Sequence, residues 1–311
     1  MNDYTKWYGE LEVQRLMVSD RWRTDAFARA IQEVVTAGDV VVDLGTGTGI
    51  LAMFAARAGA SKVYAIDEAD IATMAVELIQ MNGLEESIEV FHGSAAKFQI
   101  QEKADLIISE WLGHMAFVEG MVDDLLVVRD RVLKPGGRML PSAVEVMLAP
   151  IDDPVLYSNH GPGFWRRLIH DVDLSILEEL ELKQGRGFQT FIDAASLLSV
   201  PSPIVAMDMR RAAPGDQWTT GKIDFEVKRD GVLNGFVGWF VAELSENVIL
   251  DTGPNHPQTH WSQMYLPFPP QIAEKGSHLS VDYQLARHPE YWRSLEVTIE
   301  LGDCIQRYIV D

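Results

Sequence analysis

The chain has 311 residues, of which 47% are hydrophobic and 23% are charged, a composition typical of a soluble globular protein with one or two domains. No apolar run is long enough to span a membrane, and the first residues are polar and acidic, unlike a signal peptide. The single cysteine, Cys304, excludes an internal disulfide framework and a cysteine zinc site. We therefore expect a cytoplasmic protein with no membrane partner.

The formal net charge is −20, and so acidic a surface repels phosphate backbones. Nucleic acid is therefore not an expected partner. The charge could steer a cationic substrate towards the protein, or it could serve only to keep the protein soluble. We favour the second interpretation, because net charge alone seldom identifies a substrate.

Short apolar runs alternate with segments of helical spacing over residues 1–140, which we assign to the first domain. The segment Lys134-Pro135-Gly136-Gly137 is predicted to break the last of these helices. This order indicates a doubly wound α/β domain, with a parallel sheet between helices. Strands are predicted at residues 39–44, 62–66, 88–91 and 104–109, and helices at residues 50–58, 71–81 and 118–132.

Apolar and polar residues alternate after Pro141, so residues 141–311 are predicted to form an antiparallel sheet or barrel. Asp230-Gly231 lies between two of the alternating runs and predicts a hairpin turn there. The stretch 152–187 follows neither pattern and contains a predicted helix at 174–182. The alternating runs cover residues 223–227, 235–244, 279–285 and 295–301.

A glycine-rich turn, Asp43-Leu44-Gly45-Thr46-Gly47-Thr48-Gly49, follows the first predicted strand. Its spacing is GxGxG, whereas the dinucleotide fingerprint is GxGxxG. Asp67 ends the next strand, where a carboxylate can accept both hydroxyls of a ribose. Together these features favour S-adenosylmethionine as the cofactor. The alternatives are NAD(P) and an ordinary strand–helix turn without a ligand.

Two glutamates lie in the segment after the fourth predicted strand. Glu110 lies at the carboxyl end of that strand, where open α/β sheets bind ligands, and Glu119 follows after a short loop. Two facing carboxylates suit a planar guanidinium, which offers its donors in a rigid fork. In a chain with 46 acidic residues a pair alone would indicate only a solvated face, but this position favours a substrate site.

Four separated motifs resemble those of the protein arginine N-methyltransferase family. The resemblance implies a Rossmann-like methyltransferase domain, an antiparallel β-barrel and a helical dimerisation arm, which residues 165–175 resemble. It also implies a homodimer. No metal is expected, because methyl transfer from a sulfonium does not need one. The motifs are SEWLGHMAFVEGM, similar to the double-glutamate loop, Thr259-His260-Trp261, similar to the THW loop, residues 17–24, similar to the MLxDxxRT segment, and Tyr4 with Tyr8, at the paired tyrosines.

The resemblance implies a role for each residue of these motifs. Glu110 and Glu119 would hold the substrate guanidinium, while His260, linked to Asp20, would relay the released proton. Arg23 would pair with the cofactor carboxylate, so a change at Glu110 should spare cofactor binding. The remaining cofactor residues would be Met17, Asp43, Gly45, Gly47 and Asp67, and the remaining substrate residues would be Tyr4, Tyr8, Trp261 and Met121.

One position departs from the family's pattern. Many members carry a glutamate after the third strand that accepts a hydrogen bond from the adenine amine, and this chain has Ala96 there. We therefore expect Ser94 or backbone groups to contact the adenine.

Each of these residues could instead have a purely structural role, for example in a surface ion pair or as a packing residue of the core. Three other functions of the protein also stay open. The first is methylation of a small guanidino compound instead of a protein or peptide. The second is a non-catalytic cofactor-binding regulator, and the third is a nicotinamide oxidoreductase.

Overall fold

The computed structural model describes residues 9–291 and 293–311. The first half of the chain is built on a parallel β-sheet. None of the helices in the described residues has the length and apolar composition needed to cross a membrane. The strands are β1 (Val40–Leu44), β2 (Lys62–Asp67), β3 (Ile88–His92), β4 (Ala104–Ile108) and β5 (Leu133–Leu140). The helices are α1 (Leu11–Ser19), α2 (Arg21–Val34), α3 (Ile50–Ala58), α4 (Ile71–Met81) and α5 (Val122–Val132).

Within the described residues the strand order is β3-β2-β1-β4-β5, and all pairs are parallel. This confirms the predicted doubly wound fold. The order reverses between β1 and β4, where Asp43 pairs with Ile108, so these two strands end side by side. Open α/β sheets bind ligands beyond the carboxyl ends of the strands at such a switch point. The glycine-rich turn and the double-glutamate loop therefore meet there.

The second half contains two antiparallel sheets in the described residues, where the resemblance implied one barrel. One has the order β7-β12-β10-β6-β8, with β11 on β10, and the other has the order β15-β14-β13-β9. Phe236 and Phe268 pack edge to face in their core with ring centroids 5.4 Å apart. The strands are β6 (Ala143–Ile151), β7 (Phe188–Thr190), β8 (Ser202–Asp208), β9 (Thr219–Glu226), β10 (Gly231–Ser245), β11 (Val248–Asp251), β12 (Gln263–Ala273), β13 (His278–Arg287), β14 (Leu295–Leu301) and β15 (Cys304–Val310).

The predicted hairpin at Asp230-Gly231 is wrong. β9 before the turn pairs with β13, whereas β10 after it pairs with β6 and β12, so the turn connects the two sheets. The carboxylate of Asp230 accepts a hydrogen bond from the backbone amide of Lys275 at 2.8 Å, which fixes the turn against a neighbouring loop. Turn residues predict a change of direction, but burial of the strands decides which strands pair.

The helix predicted at residues 118–132 begins only at Val122. Gly120 has a φ of 67°, and Met115 and Ala116 have left-handed φ values of 47° and 64°. These conformations interrupt any helix before α5, so the double-glutamate segment forms a loop. The apolar residues of this loop are buried because they pack into the hydrophobic core and not because they belong to a helix.

Residues 152–187, which we call the arm, form a helical segment between β6 and β7. It contains α6 (Pro154–Asn159), a 3₁₀ turn (Pro162–Arg166) and α7 (Ile176–Gln184), which begins two residues later than predicted. Tyr157 in α6 donates a hydrogen bond to Glu178 in α7 at 2.7 Å, and this contact holds the helices together. Several apolar side chains of the arm are exposed, namely Val155, Leu168, Val172, Ile176 and Leu180.

The end of α7 is anchored to the neighbouring β15. Gly185 closes the helix with a left-handed φ of 59°, and its carbonyl accepts a hydrogen bond from the Ile309 amide at 2.8 Å. A Cβ atom on Gly185 would overlap the carbonyl oxygen of Arg307. Only glycine therefore allows this close approach of helix and strand.

We predict that Gly185→Ala lowers the free energy of unfolding by about 2–3 kcal/mol, because left-handed strain adds to the overlap with Arg307. Gly302→Ala is a matched control, since Gly302 has a φ of 60° but a Cβ there would meet no atom within 4 Å. It should cost only about 1 kcal/mol. Denaturant unfolding measures both, and equal losses would show that the arm is not anchored at Gly185.

Candidate active site

A cavity of about 410 Å³ opens at the switch point between β1 and β4. Asp20 and Asp43 lie behind its lining, while Tyr4 and Tyr8 lie outside the described residues. The cavity brings together the other predicted site residues, which are Met17, Arg23, Gly45, Gly47, Asp67, Glu110, Glu119, Met121, His260 and Trp261.

The glycine-rich turn forms one wall of the cavity. Gly45, Gly47 and Gly49 have φ values of 76°, 55° and 80°, a region that disfavours other residues. A Cβ atom on Gly47 would lie 2.8 Å from Oε1 of Gln14, a buried residue of α1. The backbone of the turn therefore packs directly against the Gln14 side chain, and a side chain on Gly47 would not fit there.

Asp67, at the end of β2, is bound to this turn. Its carboxylate accepts the backbone amide of Gly47 at 2.8 Å and that of Ala69 at 2.9 Å. Burial raises the pKa of Asp67 despite these hydrogen bonds, and the charge of Glu68 acts in the same direction. The carboxylate is thus fixed at the cavity wall, where its remaining lone pairs can accept further donors.

Asp43, which we predicted to bind the cofactor, lies outside the cavity lining, and one of its carboxylate oxygens is bonded to the protein. The residue is fully buried, and its Oδ2 atom accepts the Thr46 hydroxyl at 2.5 Å and the Ala52 amide at 3.0 Å. Burial raises the pKa of Asp43 to about 7 although both hydrogen bonds oppose the shift. Asp43 therefore fastens the glycine-rich turn to α3 and acts on the cavity through that turn.

Arg23 and Glu110 form a buried ion pair. The Nη2 and Nε atoms of Arg23 lie 2.6 and 3.0 Å from Oε2 of Glu110, and the two side chains are only 6% and 7% exposed. The Nη1 atom of Arg23 donates to the carbonyl of Met17 at 3.3 Å, and the Leu112 amide donates to Oε1 of Glu110 at 3.0 Å. Both charges are therefore hydrogen-bonded on several sides, which a buried pair requires.

This ion pair corrects the expectation that Arg23 and Glu110 act separately. A substitution at Glu110 leaves the buried guanidinium of Arg23 without its carboxylate partner, so we expect it to affect Arg23 as well. The pairing of Arg23 with Glu110 was not predictable from the sequence. The motif at residues 17–24 assigns Arg23 to the cofactor, whereas the double-glutamate loop assigns Glu110 to the substrate.

The structure places His260 beside Asp20, the contact that the resemblance implies. Its Nδ1 atom lies 2.8 Å from Oδ2 of Asp20, which also accepts the His260 amide at 2.9 Å. The other oxygen of Asp20 accepts the Arg23 amide at 3.0 Å and caps α2. Burial alone would raise the pKa of Asp20, but the hydrogen bonds from His260 and Arg23 outweigh burial and lower it. Asp20 is therefore held as an anion that orients the imidazole.

Trp261 connects the loop before β12 to the double-glutamate loop. Its indole Nε1 donates to the carbonyl of Leu112 at 2.6 Å. The ring packs against those of His260 and Phe240 with centroids 4.1 and 5.0 Å away. Trp261 is 3% exposed, so it forms a rigid wall of the cavity.

Glu119 and Met121 return to the cavity from the far end of the double-glutamate loop. A Cβ atom on Gly113 would lie 3.1 Å from Cγ of Glu119, so the loop folds back on itself as predicted. The terminal methyl of Met121 lies 4.0 Å from the Cβ position of Gly45. Met121 therefore contacts the glycine-rich turn, while Glu119 lies in the same cavity as Glu110.

Ser94, the residue expected to contact the adenine, lies outside the cavity lining. Ser94 and Ala96 belong to a short 3₁₀ turn, where the Ala96 amide donates to the Ser94 hydroxyl at 3.4 Å. Neither residue lines the cavity, whereas Glu68 and Ala69 after β2 do. The prediction that Ser94 contacts the adenine therefore lacks structural support.

Sequence reasoning missed four polar residues of the cavity, Gln14, Glu68, His114 and Gln189. Gln14 belongs to α1, just before the motif at residues 17–24, whereas Gln189 belongs to β7, far from every motif in sequence. His114 lies between the two glutamates, and that position was its only sequence signal.

Both halves match known protein families. Residues 143–302 match a family described as the arginine methyltransferase oligomerization subdomain, and residues 23–144 match ribosomal protein L11 methyltransferase (PrmA). The chain is 30% identical to the probable protein arginine N-methyltransferase 6 of Arabidopsis thaliana over 97% of this chain and 79% of that protein. The chain belongs to the protein arginine methyltransferase family. The family's enzymes depend on S-adenosylmethionine, and this methyltransferase is one of them.

Solved structures of arginine methyltransferases have a similar fold. The PRMT1 enzyme–prozyme heterotetrameric complex of Trypanosoma brucei, solved with AdoHcy, matches with a TM-score of 0.90 and 26% identity over 98% of this chain and 99% of that chain. Arabidopsis thaliana protein arginine methyltransferase 10 matches with a TM-score of 0.87 and 28% identity over the same shares.

We predict that Arg23→Met and Glu110→Gln each destabilise this arginine methyltransferase by about 3 kcal/mol, because each leaves a buried charge unpaired. The double variant should lose less than the sum of the two, with a coupling free energy of at least about 1 kcal/mol. Denaturant unfolding of the four proteins measures this coupling. The exposed pair Lys222–Asp282, whose side chains are 61% and 49% exposed, is the control. The same double-mutant cycle at this control pair should give a coupling free energy of less than about 1 kcal/mol. If the losses of Arg23→Met and Glu110→Gln are additive, the two residues are not coupled.

Proposed function

We propose that the protein transfers a methyl group from S-adenosylmethionine to a guanidino nitrogen of arginine in a protein substrate. The observation that carries this proposal is the shared cavity of Glu110, Glu119, Asp67 and the glycine-rich turn. Two carboxylates suit the fork of a guanidinium, and a glycine-rich turn beside a fixed carboxylate suits a nucleoside. Cofactor and arginine would therefore lie next to each other.

The residues of the cavity fit S-adenosylmethionine. Its volume lies within the roughly 300–1,000 Å³ of small-molecule sites, and Gly45 leaves space that a side chain would fill. Asp67 can accept ribose hydroxyls, and Arg23 has five N–H donors, more than its three bonds to Glu110 and Met17 require. When bound, the cofactor supplies a methyl group on a sulfonium. The sulfur leaves readily as a thioether, so no metal is needed.

The double-glutamate loop would orient the substrate. Arg23 and the Leu112 amide fix the Glu110 carboxylate before any substrate arrives. Glu110 and Glu119 would then accept N–H groups of the guanidinium and direct one nitrogen towards the cofactor side of the cavity. Catalysis would come chiefly from this alignment, which converts a bimolecular step into an oriented one.

His260 and Asp20 would handle the proton that the methylated nitrogen releases. Nδ1 of His260 donates to Asp20, so Nε2 of the neutral ring is the acceptor. The anionic Asp20 would stabilise the imidazolium that forms when Nε2 takes the proton.

We infer a protein substrate because the curated relative is named a protein arginine N-methyltransferase. Small guanidino compounds have no comparable support.

The proposal is tested with methyl-labelled S-adenosylmethionine and an arginine-rich peptide, with the lysine-substituted peptide and free arginine as controls. Only the arginine peptide should be methylated.

Glu119→Gln should lower kcat on the order of 100-fold, since it removes one carboxylate from the substrate side. Its calorimetric Kd for the cofactor should change less than about threefold.

Glu226→Gln is the matched control, because Glu226 is an exposed residue of β9 paired with Lys228. It should retain wild-type turnover. Near-wild-type methylation by Glu119→Gln would overturn the guanidinium assignment.

We infer further that the arm assembles the protein into a homodimer with C₂ symmetry. Ile176 and Leu168 are 73% and 64% exposed, and they lie within the residues that match the oligomerization subdomain. Leu11 in α1 and Met81 in α4 are 70% and 82% exposed on the other half of the chain. Contact between the arm of one copy and these helices of the other would cover both apolar sets.

We predict that wild-type protein has twice the chain mass by light scattering and that Ile176→Asp has the mass of one chain, because the charge would be buried in the interface. Ile272→Asp is the control, since Ile272 lies on β12 outside the arm and is 81% exposed. It should remain dimeric. A monomeric wild-type protein at micromolar concentration would contradict the assembly.

A further inference from the structure

A tight turn between the two glutamates carries His114. The amides and carbonyls of Gly113 and Ala116 exchange two hydrogen bonds of 2.9 and 3.0 Å. Met115 and Ala116 are left-handed although neither is glycine, and both are buried. Strain of this kind costs roughly 1–3 kcal/mol per residue and persists where the surroundings fix the backbone, often at ligand sites.

The His114 ring makes two hydrogen bonds that define its tautomer. Its Nδ1 atom lies 2.9 Å from the carbonyl oxygen of Trp261, which can only accept, so Nδ1 carries the proton. Its Nε2 atom lies 2.6 Å from the side-chain Nε2 of Gln189, which donates, so the ring nitrogen accepts. Both contacts are satisfied together only by a neutral imidazole.

The carbonyl that His114 binds belongs to a second strained turn. Ser262 has a φ of 48°, and its hydroxyl donates to the same carbonyl of Trp261 at 2.7 Å. The Trp261 indole donates back to Leu112 in the double-glutamate loop. Two hydrogen bonds of opposite direction therefore connect the loops that carry the glutamates and His260.

Gln189 brings a third segment to this connection. It lies in β7, an edge strand of its sheet in the described residues, and pairs with Met264 of β12. The His114 ring thus joins the double-glutamate loop, the loop before β12 and the strand that follows the arm. All three segments contribute side chains to the cavity.

We propose that His114 is a positioning residue for arginine binding, which in its neutral form holds the Trp261 loop and Gln189 against the double-glutamate loop. This proposal rests on the proposed function and assigns a further residue to the same site. By fixing the Trp261 carbonyl, the ring holds Trp261 in place in the same cavity as Glu110 and Glu119.

Charge makes the neutral form necessary. Burial lowers the pKa of His114 and the nearby His260 lowers it further, although the hydrogen bond to Trp261 acts in the opposite direction. A protonated ring would lose its bond from Gln189 and place a cation where the substrate guanidinium binds. The charged groups around it are Glu110 and Glu119 on its own loop, Arg23 on α2, His260 before β12, and Asp20 behind His260.

Substitutions at His114 separate the ring's shape from its hydrogen bonds. His114→Phe keeps a ring and loses both bonds, so the KM for an arginine peptide at pH 8 should rise about tenfold. The kcat and the calorimetric Kd for S-adenosylmethionine should change far less. His114→Asn retains a donor near the Nδ1 position and should recover part of the loss. His278→Phe is the control, because His278 is exposed on β13 and pairs with Asp224.

A substitution at Gln189 tests the protonation state directly. Gln189→Glu replaces the donor with a carboxylate that favours the charged ring, so the pKa of His114 should rise by about one unit. As the pH is lowered, kcat/KM of the variant should then begin to fall at a higher pH than kcat/KM of the wild type. The shift should disappear in the His114→Asn background. Gln284→Glu, an equally exposed position on β13, should cause no shift.

The imidazole titration of His114 by NMR gives a readout without activity. Wild-type protein that fails to methylate the peptide would overturn the proposed function, and the NMR shift would still test the His114–Gln189 contact. Active wild-type protein with an unchanged KM in His114→Phe, or no pKa shift in Gln189→Glu, would overturn the positioning role of His114 alone.

Discussion

The buried ion pair between Arg23 and Glu110 is the interaction on which the rest of the site depends. It joins α2 to the loop after β4, across 87 residues of sequence. Burial of two charges is favourable only when their other hydrogen-bonding atoms are satisfied, and here the Met17 carbonyl and the Leu112 amide satisfy them. The pair therefore fixes Arg23 and Glu110 relative to each other, and a substitution at either residue affects both.

The first turn of α2 carries a second connection next to this pair. Asp20 caps the helix through the Arg23 amide and binds His260, which is 240 residues away in sequence. One helical turn therefore fixes residues from both halves of the chain. Since a cap and an ion pair both require α2 to be formed, folding of this helix and assembly of the site are coupled.

The antiparallel half completes the cavity through two strained turns. Those at Met115 and Ser262 face each other and are joined by the bonds of His114 and Trp261. Such turns cost free energy that the packing of the buried Trp261 and Met115 offsets. These bonds hold in place the side of the cavity that the antiparallel half contributes.

The sequence determined the doubly wound sheet, the glycine-rich turn and the two glutamates, because alternation of apolar residues and short motifs are local properties. Only the tertiary structure decided the pairing of β9 with β13, the position of Asp43 behind the turn and the contact of Arg23 with Glu110. His114 acquires its partners in the same way. These features join residues that lie far apart in the chain, and packing selects among partners that the sequence leaves equivalent.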